Sequence, residues 1–371
     1  MRISPARIYA GVALGLAIFV VGGSLTADFS PDDAALGPFT ISRDALFEGR
    51  QVAFRNADQM DQAHALVSDA HKTEQQIALW LGASHQYAIN GYEAGAENAV
   101  FHANRLAQEQ GLGLTYLGFG LPNGNAHEVL AADLHFRHQG LTPDRLVVGA
   151  LYDDLREPGI RPRVRALLET IEPAALHYLG SAGDHLTQAL AEAPSPVDRN
   201  AMDGTPQKLL ETHVVGWLER AWDPFAQRHR FNAWVGWRWR RGLFDLGELL
   251  RQFGSPTRKV PPVPPGMQVW NEAALTTLLQ IATADGVAVL VYKVPHPQTE
   301  DPFYHDRERY DDFHERLRRL CVSLGARYLD LETLIPLPNF KFESALDHWH
   351  FREAGHVLLA QALTSAMAEH D

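Results

Sequence analysis

The sequence is poor in cysteine and in basic charge. Its 371 residues include a single cysteine, Cys321, so neither an intrachain disulfide nor a cysteine-based metal site is possible. The 45 Asp and Glu residues outnumber the 33 Lys and Arg residues, which gives a formal net charge of -12 at pH 7. Because contacts to phosphates need a basic surface, this balance argues against nucleic-acid binding. The hydrophobic content of 46% is nevertheless normal for a globular protein with a packed core.

Long apolar runs are rare, and the notable one lies at the N-terminus. Ile8–Leu25 carries no charged side chain and follows two arginines. Its length is near the lower limit of roughly 17 to 25 residues that cross a bilayer as a helix, and basic flanks stay on the cytoplasmic side. We therefore predict a membrane anchor within residues 1–27, with residues 28–371 on the outer side. A signal peptide cleaved in the small-residue stretch 24–27 is the alternative.

Motifs for metals and nucleotides are missing as well. The 18 histidines include no H-E-x-x-H pattern. The densest group is His127, Asp133, His135 and His138, but helical spacing places His127 on a different face from the last two histidines. The glycine strings within 111–120 match neither a dinucleotide fingerprint nor a P-loop. We expect no metal and no cofactor.

Short apolar runs alternate with long helix-patterned segments, which is typical of βαβ units and a parallel sheet. The apolar runs predict strands at 76–82, 112–118, 145–151, 286–294 and 326–331. The segments between and after them predict helices at Tyr92–Gln110, Ala126–Gln139, Asn271–Ala284, Arg307–Leu324 and Arg352–Glu369. The predicted fold is a flavodoxin-like three-layer α/β sandwich with a central parallel sheet of about five strands.

A long segment at about 155–270 interrupts this alternation between the third and fourth strands. It contains helix-like stretches and ends in "GSPTRKVPPVPPG", which continues neither a helix nor a central strand. We predict a mostly helical insertion in one α/β domain. Its tryptophans and arginines in "WVGWRWRRG" suit packing within the insertion, and they also suit contact with a membrane surface or sugar rings.

Three residues could carry nucleophilic chemistry. In open α/β sheets ligands collect at the carboxyl ends of strands, and Ser84 lies where the first predicted strand runs into "LGASHQY". A serine needs a base to take its proton. Asp347 and His350, in "DHWHFREAGH", lie three residues apart just before the last predicted helix. The carboxylate can hold one ring nitrogen of the imidazole and leave the other for the proton of Ser84.

A G-x-S motif after the first strand and a D-x-x-H motif before the last helix resemble those of the SGNH (GDSL-type) hydrolase superfamily. Residues 76–152 and 270–369 carry the resemblance. It implies an enzyme in which Ser84 is the nucleophile, His350 is general base and then acid, and Asp347 orients the imidazole. The first block departs from the family pattern, because the chain has alanine where the family has aspartate.

The oxyanion hole of this superfamily uses a backbone N–H from a glycine and an asparagine side chain. The resemblance assigns the glycine to Gly124, with Gly120 as the alternative. Asp153 stands where the asparagine is expected, and an ionised carboxylate repels an oxyanion. Asp153 is therefore protonated there, or it has another role, or Asn123 or Asn125 replaces it as donor.

A finer resemblance is to membrane-anchored DltD-like and alginate-acetylation-like members, through the N-terminal anchor, "GASH" and "LVVGALYDDLRE". It implies an extracytoplasmic O-acyltransferase or esterase that modifies a cell-envelope polysaccharide through an acyl-serine. The implied partners are an acyl donor, a polysaccharide acceptor and a membrane-bound O-acyltransferase. The implied location is the inner membrane, single-pass with the catalytic domain in the periplasm, or secretion if the N-terminal segment is cleaved.

Two other functions stay open. The chain could be a non-catalytic SGNH-like binding or scaffold protein of an export or polymer-modification complex, which the aspartate at position 153 favours. It could also be a plain periplasmic lipase or esterase. Two neighbours of the predicted site are open too: His85 either borders the substrate or satisfies a local hydrogen bond, and Trp349 is a core anchor or a substrate contact.

Overall fold

A computed structural model describes most of the chain from residue 39 to residue 369. The described residues are 39–55, 59–73, 75–121, 124–156, 159–169, 263–299, 307–342 and 345–369, with isolated positions between 171 and 187. The predicted N-terminal segment 1–27 and most of the predicted insertion at 155–270, with its tryptophan-rich segment, lie outside them. Within the described ranges, no helix combines the length and the apolar character needed to cross a membrane.

The secondary structure alternates between strands and helices. The strands are β1 (Thr40–Ser42), β2 (Leu46–Phe47), β3 (Arg50–Gln51), β4 (Ala53–Phe54), β5 (Gln76–Gly82), β6 (Ala88–Asn90), β7 (Leu114–Gly120), β8 (Arg145–Ala150), β9 (Ala288–Lys293), β10 (Arg327–Asp330), β11 (Lys341–Phe342) and β12 (Ala345–Leu346). The α-helices are α1 (Met60–Lys72), α2 (Ala99–Glu109), α3 (Ala126–His138), α4 (Pro162–Leu168), α5 (Pro265–Ala284), α6 (Arg307–Ser323) and α7 (Glu353–Ala368).

Six of these strands form one parallel sheet in the order β10-β9-β8-β5-β7-β4. Helices cover both faces, which gives three layers. Leaving the short edge strand β4 aside, the order along the chain is that of a flavodoxin-like sheet. The chain leaves β5 for β7 on one side and then crosses to β8 on the other. The carboxyl end of β5 is therefore the switch point, where such sheets bind ligands.

The burial of the central strands explains why their sequences lack a polar alternation. Every residue of β8 is buried, and in β5 only Gln76 is exposed. Strands covered on both faces need apolar side chains at successive positions, as in "IALWL". This is the reason that the apolar runs identified the strands, and the predicted parallel three-layer fold is confirmed.

The structure differs from the prediction in the bounds of some elements and in elements that were not predicted. The second helix begins at Ala99 rather than at Tyr92, because Gly95 has a positive φ of 92° and Asn98 caps the helix by accepting a hydrogen bond from the Phe101 N–H. The parallel sheet has six strands rather than about five, because β4 was not predicted. This strand has two residues, which is too short to show a periodic pattern. Helix α1 was not predicted.

Two short strands connect the first half of the chain to the loop before α7. β1 pairs antiparallel with β6, which directly follows the loop after β5. Ile89 of β6 forms a parallel bridge with Phe351, and the Asn90 N–H donates to the Phe351 carbonyl at 2.8 Å. The Asn90 side chain also donates to the Phe340 carbonyl at 2.9 Å. These contacts fix the loop before α7 beside the end of β5.

Candidate active site

Ser84 lies at the carboxyl end of β5, at the switch point of the sheet. β5 ends at Gly82, and Ser84 opens a short 3-10 turn, Ser84–Gln86, before the chain enters β6. Its side chain is 7% exposed. Because the turn begins at Ser84, its backbone N–H has no acceptor inside the turn. The hydroxyl and this N–H thus lie on one residue at the point where the fold favours a ligand.

Ser84, His350 and Asp347 form one hydrogen-bonded chain. Ser84 Oγ lies 2.9 Å from His350 Nε2, and His350 Nδ1 lies 2.8 Å from Asp347 Oδ2. The carboxylate has no proton to donate, so His350 Nδ1 carries the hydrogen and Nε2 accepts the hydrogen bond from Ser84. The structure therefore brings together the three residues predicted from the sequence, in the order that serine activation requires.

Asp347 is held ionised by four donors. Its Oδ1 accepts from the Trp349 and His350 N–H groups at 2.9 and 3.1 Å, and its Oδ2 accepts from His350 Nδ1 and from the Thr40 hydroxyl at 2.7 Å. Burial opposes the charged form of this carboxyl. The His350 ring, the Trp349 N–H and the Thr40 hydroxyl outweigh burial and hold the pKa of Asp347 below its ordinary value.

The backbone around His350 is fixed from the side of α7. Phe351 is fully buried, with its ring 5.2 Å from that of Phe340 and edge-on to it. Helix α7 passes so close that a Cβ at Gly355 would lie 2.6 Å from the Cβ of Phe351. The Ala88 carbonyl oxygen accepts a hydrogen bond from His356 Nε2 at 3.1 Å. The glycine in "EAGH" thus permits the approach that seats His350.

The two residues predicted to complete the oxyanion hole are engaged elsewhere. The Gly124 N–H donates to the Leu121 carbonyl at 3.0 Å. Asp153, in the turn after β8, accepts a hydrogen bond from Arg156 at 2.6 Å, and a carboxylate in such a pair has no proton for an oxyanion. These contacts do not support either assignment. The Ser84 N–H, which has no acceptor inside its own turn, is a backbone donor beside the hydroxyl.

The alternative oxyanion donors named from the sequence are Asn123, Asn125 and Gly120. The Asn125 side chain caps α3 by accepting from the Glu128 N–H at 3.0 Å, and its amide group donates to the Gly159 carbonyl at 2.7 Å. Asn125 therefore has a structural role at the start of a helix. Asn123 lies outside the described residues. Gly120 ends β7 and packs against Tyr87, where a Cβ would lie 2.6 Å from the ring.

The cluster of His127, Asp133, His135 and His138 does not form a metal site where the chain is described. No group of three or more His, Cys, Asp or Glu side chains there is close enough to hold an ion. Asp133 instead pairs with Arg137 at 2.6 Å, and His135 Nδ1 lies 3.0 Å from the Leu167 carbonyl.

Comparison with known proteins finds only remote structural likeness. No family model matches the chain, and no curated protein matches it. An acetylxylan esterase from Geobacillus stearothermophilus is 12% identical with a TM-score of 0.38, over 78% of this chain and 93% of that one. An alpha/beta hydrolase enzyme from the metagenome of Lake Arreo, Spain, is 14% identical with a TM-score of 0.38, over 79% and 95%. A GDSL-like lipase from Bacteroides thetaiotaomicron is 9% identical with a TM-score of 0.37, over 83% and 98%. At such low scores none of them informs the function of this chain, which we infer from its own site.

Proposed function

We propose that this chain is a serine-dependent acyl-ester enzyme of the SGNH hydrolase type. The observation that carries the proposal is the unbroken hydrogen-bonded chain from Ser84 through His350 to Asp347, at the switch point of a flavodoxin-like sheet. Ser84 and His350, which are 266 positions apart in the chain, meet there in the geometry that serine activation needs. Such an arrangement is the recurring solution for acyl transfer through a serine.

The first half of the reaction forms an acyl-serine. Ser84 Oγ attacks the ester carbonyl while its proton passes to His350 Nε2, and the carbonyl π electrons move onto oxygen. The Ser84 N–H stabilises this oxyanion. The tetrahedral intermediate then collapses, the bond to the leaving oxygen breaks, and His350 gives the same proton to the departing alcohol. Asp347 stabilises the imidazolium in both steps.

The second half transfers the acyl group to a hydroxyl. Water or a sugar hydroxyl gives its proton to His350 Nε2 and attacks the acyl-serine, and His350 returns the proton to Ser84 Oγ. Water yields an esterase and a sugar hydroxyl yields an O-acyltransferase. The two outcomes use the same residues.

A fluorophosphonate probe tests the nucleophile directly. We expect one probe molecule per chain, found on Ser84 by peptide mass spectrometry, and no labelling of Ser84→Ala. Ser323→Ala is the matched control, since the Ser323 hydroxyl is exposed and donates to the Leu320 carbonyl. Hydrolysis of p-nitrophenyl acetate should be lost in Ser84→Ala and kept in Ser323→Ala. Labelling of another residue, or full activity in Ser84→Ala, would contradict the proposal.

We also propose the setting, which is modification of a cell-envelope polysaccharide outside the cytoplasm, with an acyl donor and a membrane-bound O-acyltransferase as partners. Support comes from the predicted N-terminal anchor and the resemblance of "GASH" and "LVVGALYDDLRE" to membrane-anchored members. Envelope polysaccharide from a strain with Ser84→Ala should lose ester-linked acyl groups relative to the strain with Ser323→Ala. Unchanged polymer acylation beside lost esterase activity would instead indicate a plain esterase.

A non-catalytic binding or scaffold protein is the second candidate. It is favoured by Asp153, whose pairing with Arg156 leaves an acceptor where the superfamily has a donor. On this reading the purified protein shows neither probe labelling nor ester turnover. Ser84→Ala would then leave polymer acylation in cells intact, whereas deletion of the whole chain would abolish it.

A further inference from the structure

The turn that carries Ser84 rests directly on the backbone of the sheet. Three adjacent strands present a glycine at or near their carboxyl ends beneath this turn. They are Gly149 of β8, Gly82 of β5 and Gly120 of β7. A Cβ on any of them would lie within 2.7 Å of a side chain of the turn or of the residue after it. Real Cβ atoms do not approach so closely, so each glycine makes room for one side chain.

The His85 ring, next to Ser84, occupies the space that Gly149 leaves open. A Cβ at Gly149 would lie 2.5 Å from His85 Nε2 and 2.7 Å from the Tyr292 hydroxyl. Gln86 occupies the space beside Gly82, and Tyr87 occupies the space beside Gly120. His85 is 1% exposed, so its ring is part of the floor below the nucleophile.

A chain of hydrogen bonds from β5 and β9 holds the His85 ring. Trp80 Nε1 donates to the Tyr292 hydroxyl at 3.1 Å, and this hydroxyl lies 2.8 Å from His85 Nε2. Indole nitrogen is only a donor, so the Tyr292 oxygen accepts from Trp80, and its bond to His85 Nε2 takes the direction that the tautomer of the ring sets.

His85 Nδ1 is buried and has no hydrogen-bond partner among the described residues. A buried polar nitrogen without a partner costs stability, and an apolar side chain of similar size would avoid that cost. Folding alone therefore gives little reason for histidine at this position. Placing the neighbouring serine is a reason.

The His85 ring is also uncharged, although it lies near His350, which must become charged during the reaction. Burial is the main cause that lowers the pKa of His85 to about 3, and the neighbouring His350 and His356 rings lower it further. His85 thus stays neutral at the pH of catalysis and does not oppose the His350 imidazolium.

From these contacts we infer that His85, held by Tyr292, is a positioning residue. It fixes the turn so that Ser84 Oγ stays within hydrogen-bond reach of His350 and the Ser84 N–H stays directed at the oxyanion. This inference rests on the proposed function of Ser84 and adds two residues that touch no substrate. A change at Tyr292 should therefore slow the chemical step and leave substrate binding almost unchanged.

Tyr292→Phe tests the inference, because it removes only the hydroxyl. With p-nitrophenyl acetate we expect kcat to fall about 10- to 100-fold with KM within about twofold, the scale of loss that small misplacement of a nucleophile produces. The rate of fluorophosphonate labelling at Ser84 should fall in parallel. Rates are compared per folded molecule, from circular dichroism and thermal unfolding of each variant.

Tyr116→Phe is the matched control. Tyr116 is another fully buried tyrosine, and it packs edge-on against the same Trp80 with ring centroids 6.4 Å apart, but it lies on β7 away from His85. Its kcat should equal that of the unchanged protein. His85→Gln and His85→Leu form a second pair: the glutamine amide, with one acceptor and one donor group, can bond the Tyr292 hydroxyl in either direction and should keep most of the rate, whereas leucine should not.

The results separate the inference from the proposal on which it rests. If Ser84→Ala is inactive and Tyr292→Phe keeps kcat within twofold of Tyr116→Phe, the positioning role is wrong and the nucleophile stands. Equal activity of His85→Gln and His85→Leu would likewise overturn it. If Ser84→Ala keeps full activity, the proposed function itself is wrong.

Discussion

At the scale of single residues, the Asp347 carboxylate depends on a donor from the far end of the described chain. The Thr40 hydroxyl lies 2.7 Å from Asp347 Oδ2 although the two residues are 307 positions apart. A hydrogen bond to a charged group contributes about 1.5 to 3 kcal/mol. Thr40→Val, which keeps the shape of the side chain, should lower the free energy of unfolding by that amount. It should also raise the pKa of Asp347 towards its ordinary value.

The same substitution should weaken catalysis, because Asp347 would orient His350 less firmly. We expect a loss of about 3- to 10-fold in kcat/KM, which corresponds to about 1 kcal/mol of transition-state stabilisation. Thr115→Val is the control, since that hydroxyl bonds Gln75 at the exposed start of β7. Urea unfolding and ester kinetics on both variants measure the two effects. A Thr40→Val enzyme with unchanged kinetics would show that Asp347 is placed by its backbone donors alone.

Thr40 also shows what the sequence leaves hidden about a site. Ser84 and the pair of Asp347 and His350 were predictable because each lies beside an element with a clear pattern. Thr40 lies in a three-residue strand with no pattern of its own, and its role exists only because β1 pairs with β6. Contacts between sites distant in the chain come from tertiary packing, so nothing local in "GPFTISR" indicated them.

At the scale of elements, the start of α7 determines where the His350 loop lies. Gly355→Ala would place a Cβ 2.6 Å from the Cβ of Phe351, which follows His350 directly. Helix and loop must then separate, at a cost of about 1 to 3 kcal/mol for an overpacked core. We expect that loss in the free energy of unfolding together with a lower kcat, because His350 moves with Phe351.

A second helix supplies the control for this substitution. Gly266 lies in the first turn of α5, and a Cβ there meets nothing within 4 Å. Gly266→Ala should leave activity unchanged and stabilise the protein by up to about 1 kcal/mol, since alanine is the better helix former. Chemical unfolding and ester kinetics compare the two. Equal stability of both variants would mean that α7 adjusts without strain.

The elements also show why sequence reasoning worked for the sheet and failed at its margins. A strand covered on both faces is apolar throughout, so Gln76–Gly82 was predicted with its bounds correct. Short strands such as β4 and β6 carry too few residues for a period. The oxyanion assignments failed to gain support for a related reason: Gly124 and Asp153 were placed by motif, but turn and ion-pair contacts decide what their polar groups do.

At the scale of the whole molecule, the fold depends on histidines that are buried and neutral. Burial lowers the pKa of His85, His296 and His356 to about 3, and it lowers that of His314 well below its ordinary value. Their ordinary pKa is 6.5. Below that value the unfolded chain takes up protons that the folded chain does not, so stability falls as the pH falls from about 6.5 towards 3.

The size of this effect predicts that the protein is sensitive to acid. At pH 5 each of the three histidines with a pKa of about 3 disfavours the folded state by roughly 2 kcal/mol, or about 6 kcal/mol together. Since a domain is stable by about 5 to 15 kcal/mol, we expect unfolding at about pH 4 to 5, followed by circular dichroism with urea titrations at each pH. His314→Asn can keep a hydrogen bond to the Tyr328 hydroxyl at the position of Nδ1. It should reduce the slope of the free energy of unfolding against pH by up to about 1.36 kcal/mol per pH unit. A slope equal to that of the unchanged protein would show that His314 is protonated in the folded protein.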